Sequence, residues 1–399
     1  MGQQKHRRSS LSKRSAVILV AMAGVSLFPV VDWFIARAAA EPENAQSLAA
    51  LGERLFFDPE LSLNRTQACA TCHAPDAGFV DPRETRLGRA VSLGDDGESL
   101  GRRNAPTVTY ASFSPTFGRN ADGQYVGGQF LDGRARTLEE QAGQPLLNPV
   151  EMAMPDEASV VARLQEDAEY VSDFRDLFGA DVFNSTRTAF DALARSLAAY
   201  ERTAAFAPFD SRYDRSLRGE IELTDEEELG RLLFFSSQFT NCHLCHQLNE
   251  FGGTAGETFS NYVFHNIGTS ANPSLAKAFD ALPDRGLAEN PAVADRMASG
   301  KFKTPSLRNI AVTGPYMHNG VFRDLRTVIL FYDHYNNKAP RRQINPETGG
   351  PWGVPEIPDN LSLKELETGP ALDDRRVDAL VAFLRSLTDQ RYEHLLKGP

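Results

Sequence analysis

A chain of 399 residues, 41% hydrophobic and 24% charged, has the composition of an ordinary globular protein, with length for two or three domains and a sizeable core. Its 42 basic and 53 acidic side chains leave a net charge of −11, which argues against nucleic acid as a partner. Four cysteines are too few for a disulfide scaffold.

The N-terminus reads as an export signal. Lys5, Arg7, Arg8, Lys13 and Arg14 precede an apolar run from Ala16 to Val31, interrupted by Pro29, and Ala38, Ala39 and Ala40 stand just before Glu41. That order predicts a signal peptide over residues 1–40 and a periplasmic destination. The competing reading is an uncleaved anchor, because Trp33, Phe34 and Ile35 lengthen the apolar run towards the roughly 20 residues a span needs. Only in that case is a membrane partner expected. Without residues 1–40 the balance is 36 basic to 52 acidic side chains, which favours cationic partners.

An internal repeat follows. Leu51-Gly52-Glu53-Arg54-Leu55-Phe56-Phe57 recurs as Leu229-Gly230-Arg231-Leu232-Leu233-Phe234-Phe235, and each copy runs into a Cys-x-x-Cys-His motif. Apolar residues at helical spacing, Leu48/Leu51/Leu55 and Leu229/Leu232/Leu233, predict an amphipathic helix before each motif. Thr224 and Glu227 form a capping-box signature at the start of the second. The duplication predicts two related, mostly helical domains, over 41–215 and 216–399, with the boundary in the polar stretch Phe209–Glu222. That stretch follows a helix carrying Phe190, Leu193, Leu197 and Tyr200. Between Phe79 and Phe130 no periodicity is sustained. Further helices are expected over Arg323–His334 and Asp374–Leu387, separated by the Pro/Gly-rich loop Ile344–Pro358. The fold class is all-α with little β-structure.

The motifs Cys69-Ala70-Thr71-Cys72-His73 and Cys242-His243-Leu244-Cys245-His246 consume every cysteine. Cys-x-x-Cys-His is the attachment motif of c-type haem: two thiols add to the porphyrin vinyl groups, and the adjacent imidazole reaches the iron. A thioredoxin-like site would want a βαβ context and would not demand the histidine, and export weighs against structural zinc. The reading is two covalently bound haem c groups. Between Ala74 and Pro106 there is no His and no Met, so the first haem has no local sixth ligand. An open iron position suits peroxide.

Further strings carry a resemblance. Gln129-Phe130-Leu131-Asp132-Gly133-Arg134-Ala135, Leu138-Glu139-Glu140-Gln141, Asn148-Pro149-Val150-Glu151-Met152, Thr304-Pro305-Ser306-Leu307-Arg308-Asn309 and Gly314-Pro315-Tyr316-Met317-His318-Asn319-Gly320 are similar to the bacterial di-haem cytochrome c peroxidase family, over essentially all of residues 45–390. The likeness is nearest to its MauG-type branch. It implies two cytochrome c-like domains, the N-terminal reactive with hydrogen peroxide and the C-terminal passing electrons. It implies that Tyr332 ligates the second haem where other members use Met, with Met317 the rival ligand. Phenolate is a hard anionic donor that stabilises oxidised iron. Glu151 and Gln141 match the catalytic pair over the first haem: Glu151 moves the peroxide proton, and Gln141 orients the ligand. Asn104, Thr313 and Pro315 match a calcium position. His318 matches a family position, while His243, His265, His334 and His394 read as structural or surface residues.

The implied activity is peroxide-driven oxidation of a protein substrate, the precursor of methylamine dehydrogenase in which tryptophan tryptophylquinone is formed. The alternatives are a peroxidase drawing electrons from a small cytochrome c or cupredoxin, and a non-catalytic di-haem electron carrier. Two positions depart from the pattern. Leu131 stands where the family usually has an inter-haem tryptophan, and Thr240 where MauG-type enzymes have a surface one. Neither can be oxidised as a relay.

Overall fold

Each copy of the repeat folds as a helix whose glycine touches the backbone of a second helix far along the chain. The structure is a computed structural model that describes residues 44–249, 252–279 and 283–396. The expected signal segment and its cleavage site therefore lie outside the described residues. In the first half, residues 44–56 are helical and cross the helix Thr186–Glu201. In the second half, Asp225–Phe234 crosses Asp374–Arg385. A Cβ placed on Gly52 would stand 1.9 Å from the Ser196 carbonyl oxygen, and one on Gly230 would stand 1.9 Å from that of Ala379. No side chain fits there. Only glycine lets these helices approach so closely, which is why it recurs in the repeat.

Gly52→Ala or Gly230→Ala would add helix propensity of about 0.8–1.0 kcal/mol. The methyl group must nevertheless displace a whole helix, and overpacking costs about 1–3 kcal/mol. Overpacking wins. Both variants should unfold at lower urea concentration than the parent. An unchanged or raised midpoint would show that the crossing tolerates a side chain.

Behind each crossing lies an apolar cluster. The first holds Leu55, Phe56, Phe79, Leu193, Leu197 and Phe206. The second holds Tyr213, Phe234, Phe259, Phe331, Leu380 and Phe383. Residues Ala45–Pro399 nonetheless form one compact unit. The polar stretch 209–222 is not simply a connecting loop. It contains the helix Arg212–Leu217, capped reciprocally by Ser211 and Asp214. Its Tyr213 is fully buried in the second cluster, so the chain has passed from one cluster to the other before residue 213.

The other helices sit close to their sequence-based bounds. Thr224 Oγ1 accepts from the Glu227 amide at 3.2 Å, and Glu227 Oε2 accepts from the Thr224 amide at 2.8 Å, completing the expected capping box. The helix expected over Arg323–His334 runs Leu325–Asn336, because the Asp324 carboxylate accepts from the Arg326 amide at 2.8 Å and starts it later. That expected over Asp374–Leu387 ends at Arg385. Among the described residues strand is scarce: two-residue ribbons pair Gly118–Arg119 with Tyr125–Val126 and Phe264–His265 with Phe302–Lys303, Arg86–Arg89 is a further short strand, and isolated bridges make up the rest. The protein is mostly helical with little strand. Among the described residues no helix is long and apolar enough to cross a membrane.

Candidate functional site

The two motifs present the same geometry. Cys69–Cys72 forms a single helical turn and Cys242–Leu244 a 3-10 turn. His73 Nδ1 lies 3.2 Å from the Phe79 carbonyl oxygen, and His246 Nδ1 lies 3.1 Å from that of Phe259. A carbonyl can only accept, so each Nδ1 carries the proton and each Nε2 keeps its lone pair. Burial holds both imidazoles below their usual range, His246 at about 4. They are neutral and pre-oriented, as metal-ligating histidines require.

Phe79 and Phe259 adopt left-handed φ angles of 56° and 57°, which bulky residues rarely do. The same unusual backbone has been kept twice, to aim a carbonyl at a histidine. Sequence reading missed both aromatics. They stand six and thirteen residues after their histidines, so no common spacing marks them. No disulfide joins the four cysteines. Burial is the largest influence raising Cys69, Cys72 and Cys245 to about 12, so their sulfurs carry protons.

Glu151 belongs to the first motif in space. It sits in a tight turn in which its amide donates to the Asn148 carbonyl at 3.0 Å, while Asn148 Nδ2 donates to Glu151 Oε1 at 2.8 Å. Burial pushes its carboxyl above the ordinary range, with the Arg134 cation and the Asn148 hydrogen bond pulling the other way. Its charge reaches both Cys69 and Cys72. Gln141 is half-buried on the short helix Leu138–Ala142, and no hydrogen bond joins its side chain to Glu151. Two further groups crowd this motif. Arg83 and Gln67 each donate to Cys72 Sγ at 3.2 Å. Glu201 is buried with Oε2 unpartnered, and burial pushes its carboxyl up to about 8.

Tyr332 belongs to the second motif. Burial raises its phenol above the ordinary range, and it packs with Cys242 against the second cluster. It makes no hydrogen bond among the described residues, whereas Tyr335 on the same helix donates to the Ile267 carbonyl at 3.0 Å. Met317 packs half-buried against the second cluster. His318 stacks on Phe302 at 3.9 Å with Nε2 3.2 Å from Glu356 Oε2. His265 is buried with Nε2 unpartnered.

Asn104 donates its amide to the His318 carbonyl at 2.7 Å, which sets it against the turn after Thr313 and Pro315. Its Nδ2 donates to the carbonyls of Arg89 and Ala90 at 3.3 and 3.4 Å. Among the described residues no cluster of three or more His, Cys, Asp or Glu could hold a metal, so a calcium ion here would rest on amide and carbonyl oxygens. Thr240 is buried and donates to the Leu233 carbonyl at 2.6 Å. Leu131 is half-buried, and its carbonyl accepts from the Lys303 amide at 2.9 Å.

Residues 46–222 match the family described as di-haem cytochrome c peroxidase. The methylamine utilization protein MauG of Paracoccus denitrificans is 56% identical over 354 residues, 88% of this chain and 91% of that one. The chain belongs to the MauG-type di-haem cytochrome c peroxidase family. Cytochrome c551 peroxidase of Nitrosomonas europaea is 33% identical over 285 residues, 71% of each chain. Among solved structures, the diheme peroxidase BthA of Burkholderia thailandensis is similar with a TM-score of 0.76 and 31% identity, covering 88% of each chain. Membership makes the protein an oxidoreductase acting on peroxide and implies two haem c groups. The residues present fit them: four unpaired cysteines, two histidines whose Nδ1 faces a backbone carbonyl, and a half-buried phenol packed against the same cluster as Cys242.

Proposed function

We propose that this chain is a periplasmic MauG-type oxidase that uses hydrogen peroxide to oxidise a protein substrate, the precursor of methylamine dehydrogenase. The observation that carries the reading is Tyr332, a half-buried phenol that packs with Cys242 against the second cluster and makes no hydrogen bond among the described residues. Haem, when bound at Cys69, Cys72 and His73 and at Cys242, Cys245 and His246, supplies the redox chemistry with peroxide. The protein's own groups then divide the work. Glu151 takes the peroxide proton and returns it to the leaving oxygen, its carboxyl raised above the ordinary range by burial. Gln141 would orient peroxide or water at this site by hydrogen bonding. Tyr332 would ligate the second haem as phenolate, a donor that favours oxidised iron. Asn104 with the Thr313 and Pro315 carbonyls holds calcium between the two haem regions. Residues 1–40 direct export.

The peroxidase reading, with electrons from a small cytochrome c or cupredoxin, is kept alive by relatives such as cytochrome c551 peroxidase and by Leu131 and Thr240. The test is direct. Haem-loaded protein, peroxide and methylamine dehydrogenase precursor are mixed, and the quinone absorbance of the product is followed. Quinone formation supports the oxidase. Its absence, together with rapid peroxide-dependent oxidation of reduced cytochrome c, supports the peroxidase instead.

A further inference from the structure

Between the two motif histidines lies a buried tyrosine whose hydroxyl points at a carboxylate. Tyr110 Oη donates to Asp389 Oδ1 at 2.6 Å, across 279 residues of sequence, and both side chains are fully buried. Asp389 Oδ2 accepts from Asn309 Nδ2 at 2.8 Å, and Tyr110 Oη accepts from the Phe209 amide at 3.2 Å, so the pair is held rigidly. Tyr110 itself has a left-handed φ of 59°.

Short steps lead from Tyr110 to both motifs. Towards the first, its amide donates to the Phe206 carbonyl at 3.0 Å. The Phe206 ring lies 4.5 Å from that of Phe79, whose carbonyl accepts from His73. Towards the second, the Arg308 guanidinium lies 5.3 Å from the Tyr110 ring and 5.2 Å from that of Phe259, whose carbonyl accepts from His246. Asp214 neutralises Arg308 through bonds of 2.5 and 2.9 Å. Tyr213 shares this strip, but its buried hydroxyl has no partner among the described residues.

We infer that Tyr110 and Asp389 form a redox-active pair in which the tyrosine is oxidised between the two haem sites. Phenylalanine cannot be oxidised at accessible potentials, and a tyrosine in a dry site can be oxidised only where its proton has somewhere to go. Tyr213 lacks that acceptor. In the step proposed, the Tyr110 O–H bond breaks, the proton moves to Asp389 Oδ1, and one electron reduces the peroxide-oxidised haem iron. The products are a neutral tyrosyl radical and a carboxylic acid. One electron from a donor, with return of the proton, restores the pair. Burial pushes Asp389 up to about 6, opposed by the Tyr110 and Asn309 hydrogen bonds and the Arg308 cation and aided by Asp210, so it is ionised at neutral pH and ready to accept.

The inference rests on haem occupying both motifs and reacting with peroxide, and the experiment separates the two. Haem-loaded protein is treated with hydrogen peroxide, freeze-quenched and examined by electron paramagnetic resonance, with and without ring-deuterated tyrosine. The parent should give a radical signal narrowed by deuteration. Tyr110→Phe and Asp389→Asn should lose it, the second while keeping the tyrosine, and Tyr213→Phe should retain it. Covalent haem content reports folding of each variant, and difluorotyrosine incorporated into the parent shifts the signal without truncating any side chain. Equal intensity in Tyr110→Phe overturns the pair. So does a parent whose haem absorbance responds to peroxide without any tyrosine-derived signal. A parent whose haems ignore peroxide overturns the function as well.

Discussion

Glu151→Gln should slow the reaction of the haem-loaded protein with hydrogen peroxide by about 10²–10⁴, the usual contribution of a positioned general base. Glutamine keeps the shape and can still face Asn148, but it cannot take the peroxide proton. The parent should also show an acid limb. Burial raises the Glu151 carboxyl, so the base form is lost on acidification at a higher pH than for an exposed glutamate, and the rate falls there. The variant, with no group to titrate, should lack that limb. Stopped-flow absorbance across a pH series measures both effects. An unchanged rate would show that the proton leaves by another route.

Tyr332→His should keep both haems attached yet hold the oxidising equivalents delivered by peroxide for a shorter time. A phenolate offsets positive charge on oxidised iron, and a neutral imidazole does not. The second haem should therefore become easier to reduce, visible as a raised potential in a spectroscopic titration, and oxidation of the protein substrate should fail. The first site should still bind small ligands, since Glu151 and His73 are untouched. If the second haem's spectrum and the peroxide-oxidised state match the parent, Tyr332 is only a packed helix residue.

Much of this was legible in the sequence because duplication writes the same physics twice. Gly52 and Gly230 recur because a side chain at either position would strike a backbone carbonyl. The Cys-x-x-Cys-His motifs carry their chemistry in adjacent residues, so spacing alone reveals them. Glu151 and Tyr332 were legible only through family strings, since a single carboxylate or phenol has no local signature of what it faces. Phe79 and Phe259 were not legible, because a backbone carbonyl does the work and the side chain says nothing of it. Glu201 was hidden by its charged neighbour, and Tyr110 with Asp389 by their distance along the chain. The role of the polar stretch 209–222 was hidden for a related reason. Its polar residues Ser211 and Asp214 cap a helix and bind Arg308 rather than face water.

One spectrum bears most directly on a peroxide-reactive first haem beside a tyrosine-ligated second. The fully ferric, haem-loaded protein is examined by electron paramagnetic resonance at low temperature, without prior reduction. With no side chain filling the sixth position of the haem at His73, a high-spin ferric signal should be present in the resting protein and should respond to added small ligands. Two wholly low-spin haems, unchanged by such ligands, would contradict it.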